Sequence, residues 1–104
     1  MNTLAPTPVA LDPERIKKAV DILKSVAHPV RLAVVELLSE NDELSVGSIQ
    51  ARVQTEQSLL SHHLTLLREK GIIACRREGK SILYRLQERN LLRALECIST
   101  CCMH

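Results

Sequence analysis

The stretch SVGSIQARVQTEQSLLSHHLTLLREKGIIACRREGKSILYRL, residues 45–86, decides the fold of this chain. Apolar residues recur at helical spacing in its first two parts, residues 45–53 and residues 55–71. A polar turn near Gln54 separates the two parts. The last part, residues 72–86, predicts two strands joined at Glu78-Gly79. The stretch is therefore expected to form two short helices followed by a β-hairpin.

The second of these helices has an apolar side and a polar side. Its leucines predict the apolar stripe, which consists of Leu59, Leu60, Leu64, Leu66 and Leu67. Short or planar hydrogen-bonding side chains cluster near its start and on its outer side, namely Gln57, Ser58, Ser61, His62 and Thr65. With basic residues behind them, such donors and acceptors suit the base edges of a DNA major groove.

The hairpin carries Arg76, Arg77 and Lys80 near its tip, where DNA phosphates can be reached. A two-residue turn at Glu78-Gly79 predicts three cross-strand pairs: Arg77 with Lys80, Cys75 with Ile82, and Ile73 with Tyr84. Glu-Gly is a weaker turn signal than Asn-Gly, so another register stays open. Helix, turn, helix and basic hairpin together predict a winged helix-turn-helix, a mainly α fold with a β-hairpin wing.

Further helices are expected outside this stretch. Residues 1–11 contain two prolines and no periodicity and predict a flexible tail, which leaves residues 12–104 as one DNA-binding and dimerisation domain. Asp12-Pro13-Glu14 is typical of a helix start, and His28-Pro29 separates this first helix from a mostly apolar second one. A last helix is expected from near Glu88. The order is thus four helices, two strands and a fifth helix.

Single residues predict helix ends and a dimer. Ser45 and Thr55 are the candidate N-caps of the third and fourth helices, and Gly71 stands where a C′ glycine belongs. The first and last helices carry more apolar surface than one small core needs, in Ile16, Val20, Leu23, Leu91, Leu95 and Ile98. These two helices are therefore expected to close a homodimer.

The composition bounds the class of protein. The 104 residues include 14 Lys or Arg against 12 Asp or Glu, too mild a balance to prove a nucleic-acid partner, so the placement of charge matters more. No apolar run approaches the roughly 20 residues of a membrane span, and no signal peptide is recognisable, so a cytoplasmic protein with reduced thiols is expected. Since no glycine-rich phosphate loop or Ser/His/acid constellation is present, no enzyme is expected.

Three segments resemble one known family. AHPVRLAVVELL (residues 27–38) resembles the second helix of the ArsR–SmtB repressors, QSLLSHHLTLLREKGII (57–73) their recognition helix, and REGKSILYRL (77–86) their wing. The resemblance implies a homodimer, joined through the first and last helices, that leaves operator DNA when a metal, metalloid or sulfur species binds. It also implies that the DNA is contacted by Gln57, Ser58, Ser61 and His62, with Arg77 and Lys80 on the wing.

The chain departs from the arsenic-type members of that family. Where these have a cysteine cluster entering the third helix, this chain has ELSVGSIQ (43–50), in which Ser45 and Gly47 supply no thiolate. The last helix lacks the family's zinc pattern of spaced Asp, His, His and Glu, and the second helix lacks the cysteine of a two-cysteine persulfide sensor. An inducer site must therefore be sought elsewhere.

The carboxyl-terminal segment CISTCCMH holds the strongest candidate for that site. Cys97 and Cys101 are one helical turn apart, close enough for two thiolates to share a soft ion, and Cys102 joins them if the helix frays or a partner subunit supplies it. His104 continues the same stripe. The hypothesis is an inducer such as As(III) or a soft divalent metal ion, with no permanent cofactor. Reversible thiol oxidation and incidental thiols on a frayed terminus are the alternatives.

For three histidines and one cysteine, DNA contact or packing is favoured over a role as a metal ligand. His62 and His63 point about 100° apart on one helix and form a poor chelating pair, so one is expected to face the groove while the other packs. His28 precedes a proline at a helix start. Cys75 shares a hairpin face with apolar residues and is expected to be a buried small hydrophobe, dispensable for sensing.

The leading function is thus a DNA-binding repressor released by an inducer at Cys97, Cys101 and Cys102. One alternative is a thiol-redox or persulfide-responsive repressor of the same fold. Another is a winged-helix protein-association module that does not bind DNA, because the fold alone does not fix the function. The polar outer face of the fourth helix and the basic wing favour DNA, and a two-fold dimer is expected to bind an inverted repeat.

Overall fold

The computed structural model describes residues 12–102, with Leu95, Ile98, Ser99 and Cys102 described by their backbone alone. The predicted tail, residues 1–11, lies outside the described residues. Within residues 12–102 the elements follow in the order α1 (Pro13–Val26), α2 (Pro29–Glu40), β1 (Leu44–Ser45), α3 (Val46–Val53), α4 (Gln57–Glu69), β2 (Ile73–Glu78), β3 (Ser81–Leu86) and α5 (Leu91–Cys102). The mainly α fold with a β-hairpin wing is confirmed.

Three helices begin where the sequence predicts, each capped by a side chain. The Asp12 carboxylate accepts a hydrogen bond from the Glu14 N–H at 3.0 Å at the start of α1. Nδ1 of His28 accepts from the Val30 N–H at 3.1 Å at the start of α2, which gives this histidine the structural role that was favoured. The Ser45 hydroxyl accepts from the Ser48 N–H at 3.2 Å and caps α3.

Two predicted helix starts are wrong. Thr55 does not cap α4, because the left-handed residue Gln54 (φ 58°) ends α3 and two further residues complete the turn before Gln57. Glu56 occupies the N-cap position without a side-chain hydrogen bond. The last helix begins at Leu91 rather than near Glu88: residues 87 and 88 donate to the Ile72 carbonyl at 2.9 and 3.0 Å, and a turn at residues 89–90 precedes the helix.

The wing belongs to a three-stranded antiparallel sheet of order β1-β3-β2. The two-residue strand β1, which pairs Leu44 with Tyr84, is too short to show a periodic pattern and was not predicted. The predicted hairpin register is wrong by two residues: Glu78 pairs with Ser81, Cys75 with Tyr84, and Ile73 with Leu86. The turn is Gly79-Lys80, because Gly79 has a φ of 63° and a type II′ turn requires glycine at its first central position. A two-residue shift keeps each side chain on its predicted face.

The core is wholly aliphatic. It consists of Val26, Val34, Val35, Leu38, Ile49, Leu60, Leu64, Leu67, Ile72, Ile73, Leu86 and Leu91. Three of the five leucines predicted to form the stripe of α4 are in this cluster, and Leu66 is half-buried. Leu59 is 48% exposed, so its assignment to the buried stripe is wrong. Successive side chains on a helix are about 100° apart, so when Leu60 points into the core, Leu59 points away from it.

The two terminal helices differ from the central ones in burial. Along α1 a stripe of three apolar side chains, Ile16, Val20 and Leu23, is 46, 42 and 50% exposed. In α5, Leu91 is buried and Leu92 half-buried, whereas the predicted interface residues Leu95 and Ile98 lie outside the described side chains. None of the helices within residues 12–102 combines the length and the apolar character needed to cross a bilayer.

Candidate nucleic-acid interface and inducer site

The carboxyl-terminal end of α4 is fixed by a glycine turn at the position predicted from the sequence. Gly71 has a φ of 75°, and its N–H donates to the Arg68 carbonyl at 3.0 Å, while the Ile72 N–H donates to the Leu67 carbonyl at 3.0 Å. This is the Schellman arrangement, which satisfies carbonyls that a helix end otherwise leaves free. The fully buried Ile72 follows directly, so the helix ends on a fixed point of the core.

The outer face of α4 carries all five polar residues predicted to contact DNA, and all five are exposed: Gln57, Ser58, Ser61, His62 and Thr65. The opposite face is made of Leu60, Leu64 and Leu67, which are 0, 1 and 0% exposed. A helix anchored so firmly on one side presents the other side rigidly. Its hydroxyl, amide and imidazole groups are donors and acceptors of the kind that bind base edges.

The neighbouring histidines of α4 have opposite environments. His62 is exposed, whereas His63 is 7% exposed and its ring lies 4.5 Å from the ring of His28, centroid to centroid. One histidine packs, as predicted, and the other is exposed; its contact with a DNA groove stays a prediction. His63 thus belongs to the contact between α4 and the start of α2, and His62 to the candidate DNA surface.

The surroundings of His63 oppose its protonation. Burial is the largest cause that lowers its pKa below the usual 6.5, and the positive charges of His28, Arg31 and His62 act in the same direction. Arg31 is itself fixed there by a hydrogen bond to the Ser25 carbonyl at 2.9 Å. Nδ1 of His63 finds no hydrogen-bond partner within residues 12–102. Burial and these neighbouring charges therefore favour the neutral form of this imidazole, on the inner side of α4.

The wing carries four exposed basic side chains, Arg76, Arg77, Lys80 and Arg85, and Arg76 is engaged by a carboxylate. Arg77 and Lys80 are exposed near the tip, as predicted. Arg76 instead binds Glu43 through two hydrogen bonds, Nε to Oε2 at 2.7 Å and Nη2 to Oε1 at 2.8 Å. The hydrogen bond from Arg76 is the largest cause that lowers the pKa of Glu43. Arg76 therefore ties the wing to the loop before β1, and Glu43, 33 positions away, has no local sequence signal.

Two of the three predicted inducer-binding cysteines lie at the surface of α5. Cys97 and Cys101 are exposed free thiols that line an open groove of about 550 Å³ together with Arg93, Glu96 and Thr100. The side chain of Cys102, and all of His104, lie outside the described residues. Within the part of the chain that is described, no three His, Cys, Asp or Glu side chains are grouped to hold a metal ion.

The fourth thiol, Cys75, lies on β2, away from that groove. It is half-buried opposite Tyr84, where a buried small side chain was expected. Burial is also the main cause that raises the pKa of the Tyr84 hydroxyl. Cys75 is part of the sheet, and the other described thiols, Cys97 and Cys101, lie on α5.

Comparisons with known proteins place the chain among DNA-binding regulators. Residues 26–76 match a family model described as a helix-turn-helix domain. The biofilm growth-associated repressor of Agrobacterium fabrum is 40% identical over 85 residues, which cover 82% of this chain and 72% of that protein. The arsenical resistance operon repressor of Escherichia coli is 40% identical over 67 residues, covering 64% of this chain and 57% of that protein.

A third relative compares in sequence and in structure. The transcriptional activator HlyU of Vibrio cholerae is 37% identical over 81 residues, covering 78% of this chain and 74% of that protein. A solved structure of HlyU superposes with a TM-score of 0.77 at 33% identity, over 84% of this chain and 97% of that chain. The described arrangement of five helices and a wing is therefore that of a solved regulator.

Proposed function

The chain belongs to the ArsR–SmtB family of winged helix-turn-helix transcriptional regulators, and we propose that it is a homodimeric repressor whose α4 and wing bind operator DNA. The outer face of α4 carries the proposal: five exposed polar side chains stand opposite a fully buried leucine face. Two of the three relatives named above are repressors and one is an activator, which supports repression as the direction of regulation.

Each part of the proposed surface has its own task. The base edges are contacted from α4 by Gln57, Ser58, Ser61, His62 and Thr65, because donors and acceptors on a helix match the pattern of the major groove. The phosphates are contacted by Arg77 and Lys80, which are exposed charges on the wing. Base contacts specify the sequence, whereas phosphate contacts fix the position and supply affinity to any DNA.

A second copy of the chain completes the proposed repressor. The exposed stripe of Ile16, Val20 and Leu23 on α1 is an apolar surface that a monomer leaves in water. In the proposed dimer, α1 and α5 of the partner cover this stripe. Residues 12–104 then form one domain that both binds DNA and dimerises. Two copies of α4 related by a two-fold axis then fit an inverted repeat with half-sites about 34 Å apart.

The association-module alternative is less well supported. A surface that binds another protein usually has an apolar or aromatic centre. The outer face of α4 is mostly polar, and the wing tip carries two free cations, Arg77 and Lys80. Both features suit a polyanion better than an apolar partner.

The DNA proposal is tested by selecting binding sites from a random DNA pool and then titrating variants across a range of salt concentrations. Ser61→Ala and His62→Ala are expected to lose discrimination against wrong bases by about 1–3 kcal/mol per base contact. Arg77→Gln and Lys80→Gln are expected to weaken all sequences alike and to reduce the salt dependence. Arg76→Gln is the matched control, since its guanidinium is engaged by Glu43.

Two results would contradict the assignment of roles. The roles would be reversed if the wing variants changed the sequence preference and the α4 variants did not. A pool from which nothing is enriched would favour the association module.

We further propose that Cys97, Cys101 and Cys102 bind a thiophilic metal or metalloid ion such as As(III), which releases the DNA. The exposed thiols of Cys97 and Cys101 share one groove on α5, and an arsenical repressor is among the relatives. Thiolates bind soft ions strongly and hard ions such as Mg²⁺ weakly, and binding displaces the thiol protons. Thiol oxidation or persulfide formation at the same residues is the alternative inducer chemistry.

The fold offers a route from α5 to α4. Residues 87 and 88, just before α5, are bonded to the carbonyl of Ile72, which ends the Schellman turn of α4. Lys70 at the end of α4 also reaches Asp21 of α1 at 3.2 Å. A change in the terminal helices can therefore alter the angle between two copies of α4, with a coupling of typically about 1–3 kcal/mol.

The inducer is tested by titrating the protein–DNA complex with As(III), Cd(II), Zn(II), a persulfide donor and a mild oxidant. Under reducing conditions, Cys97→Ser and Cys101→Ser proteins are expected to bind DNA normally and to stay bound when As(III) is added. Cys75→Ser is the matched control and is expected to respond like the wild type. Release of the Cys97→Ser/Cys101→Ser double variant at the wild-type As(III) concentration excludes this site, and release by the oxidant alone supports the redox alternative.

A further inference from the structure

We propose that Leu59 is a specificity-determining residue that contacts the 5-methyl group of one thymine in each operator half-site. This inference rests on the proposed DNA binding by α4 and adds a residue that neither the sequence pattern nor the family resemblance assigned to the DNA surface. It concerns the only apolar side chain in the first turn of a helix face that is otherwise polar.

The position of Leu59 carries the inference. Its side chain is 48% exposed, although a leucine at this position was expected to be in the core. Three of the other exposed large apolar residues form the stripe on α1, and Leu32 lies on α2, so Leu59 is the one such residue on α4 among the described side chains. It is the third residue of α4, in the helix end that enters the groove in helix-turn-helix proteins.

The neighbours of Leu59 place it beside the residues proposed to contact bases. His62 follows by three positions, and side chains at this spacing are neighbours on a helix surface, about 5–6 Å apart. Ser58 precedes it directly, and both are exposed. Leu59 therefore lies beside two of the side chains proposed to contact bases, in the first half of α4.

The chemistry of the major groove identifies the target. The base-pair edges offer hydrogen-bond donors and acceptors and a single apolar feature, the methyl group at C5 of thymine. A leucine cannot satisfy a donor or acceptor that it desolvates, so placing it over any other base edge is unfavourable. When the leucine lies over thymine, the leucine side chain and the thymine methyl group are both removed from water.

The test replaces thymine by deoxyuridine, which deletes that methyl group and leaves the hydrogen-bonding edge unchanged. Sites enriched by the wild-type protein are synthesised with each thymine replaced in turn, and binding is measured at constant salt. One thymine per half-site is expected at which replacement weakens wild-type binding about fourfold per half-site, the effect of one buried methyl group.

Variants then identify the side chain responsible. Leu59→Ala is expected to bind the thymine and deoxyuridine duplexes equally, whereas Leu59→Met, which keeps an apolar side chain of similar length, is expected to retain the preference. Leu32→Ala, which removes the exposed leucine of α2, is the matched control and is expected to behave like the wild type. Circular dichroism and urea titrations confirm that each variant is folded.

The outcomes separate this inference from the function on which it rests. If the selection enriches no sequence, DNA binding by α4 itself is wrong. If a site is enriched but no single deoxyuridine weakens binding, or if Leu59→Ala keeps the wild-type thymine preference, the role of Leu59 is overturned while the repressor proposal stands.

Discussion

Helices α4 and α5 have nearly the same length, 13 and 12 residues, yet the chain supports them differently. The inner face of α4 is completely buried in the core, and a Schellman turn fixes its end. Among the described side chains of α5, Leu91 is buried and the residues around the two thiols are exposed. The proposed DNA-binding helix is thus positioned by its own chain, whereas the inducer-binding helix is supported by a second copy only in the dimer that we propose. This division suits a repressor that must hold one surface rigid and adjust another.

The largest expected effect is the loss of core packing under α4. Leu64→Ala is expected to lower the free energy of unfolding by about 2–5 kcal/mol, because it leaves a cavity in an aliphatic core. The matched variant Leu92→Ala in α5, where the side chain is half-buried, is expected to lose less. Urea titrations at one fixed protein concentration measure both, since the stability of a dimer depends on concentration. Equal losses would contradict the difference between the two helices.

The next effect concerns the turn that ends α4. Gly71→Ala is expected to lower the free energy of unfolding by about 1–2 kcal/mol, the cost of a side chain in the left-handed region. An added Cβ meets nothing within 4 Å there, so the loss comes from the backbone alone. Gly47→Ala in α3 is the matched control and is expected to stabilise the protein slightly, since alanine favours a helix. Thermal unfolding of both variants measures these changes in stability. A Gly71→Ala variant as stable as the wild type would argue against a fixed end of α4.

A smaller effect is expected from pH, through the buried histidine of α4. Because the pKa of His63 is lowered in the folded chain, the unfolded chain binds the proton first, so stability is full above about pH 6.5 and falls as the pH is lowered from there towards the folded-state pKa. One proton limits the slope to about 1.4 kcal/mol per pH unit.

The measurement is the unfolding free energy between pH 7.5 and pH 5 for three proteins. His63→Gln is expected to flatten the decline relative to the wild type, and His62→Gln is expected to leave it unchanged. An unaltered decline in His63→Gln would assign the pH dependence to other groups.

The smallest expected effect lies in α5. Because Cys97 and Cys101 are exposed, serine at either position is expected to change the free energy of unfolding by no more than about 0.5 kcal/mol. Cys75→Ser, at a half-buried position in the sheet, is expected to be the more destabilising thiol substitution. Urea titrations of the reduced proteins compare the three. A large loss of stability at Cys97 or Cys101 would mean that the thiols are packed and that the carboxyl-terminal part of α5 is buried.

What the sequence predicted correctly depends on short-range patterns. The caps at Asp12 and Ser45, the glycine after α4 and the different burial of His62 and His63 follow from spacing within a few residues. The hairpin register, the start of α5 and the exposure of Leu59 depend on how separate elements meet. The proposed contacts to DNA and to an inducer involve partners outside the chain, so they stay predictions.

The Ile72 carbonyl, which accepts from two successive N–H groups after the sheet, closes the base of the wing. Ile73 and Leu86, which pair across the two strands, are both in the core, so residues 74–85 extend from a base that is fixed in one place. Adding or deleting one residue on each side of the Gly79 turn changes the reach of the wing by one cross-strand pair and moves neither helix. Wing length is therefore an independent variable, through which selection or an engineer can change how far the protein extends along DNA without redesigning its core.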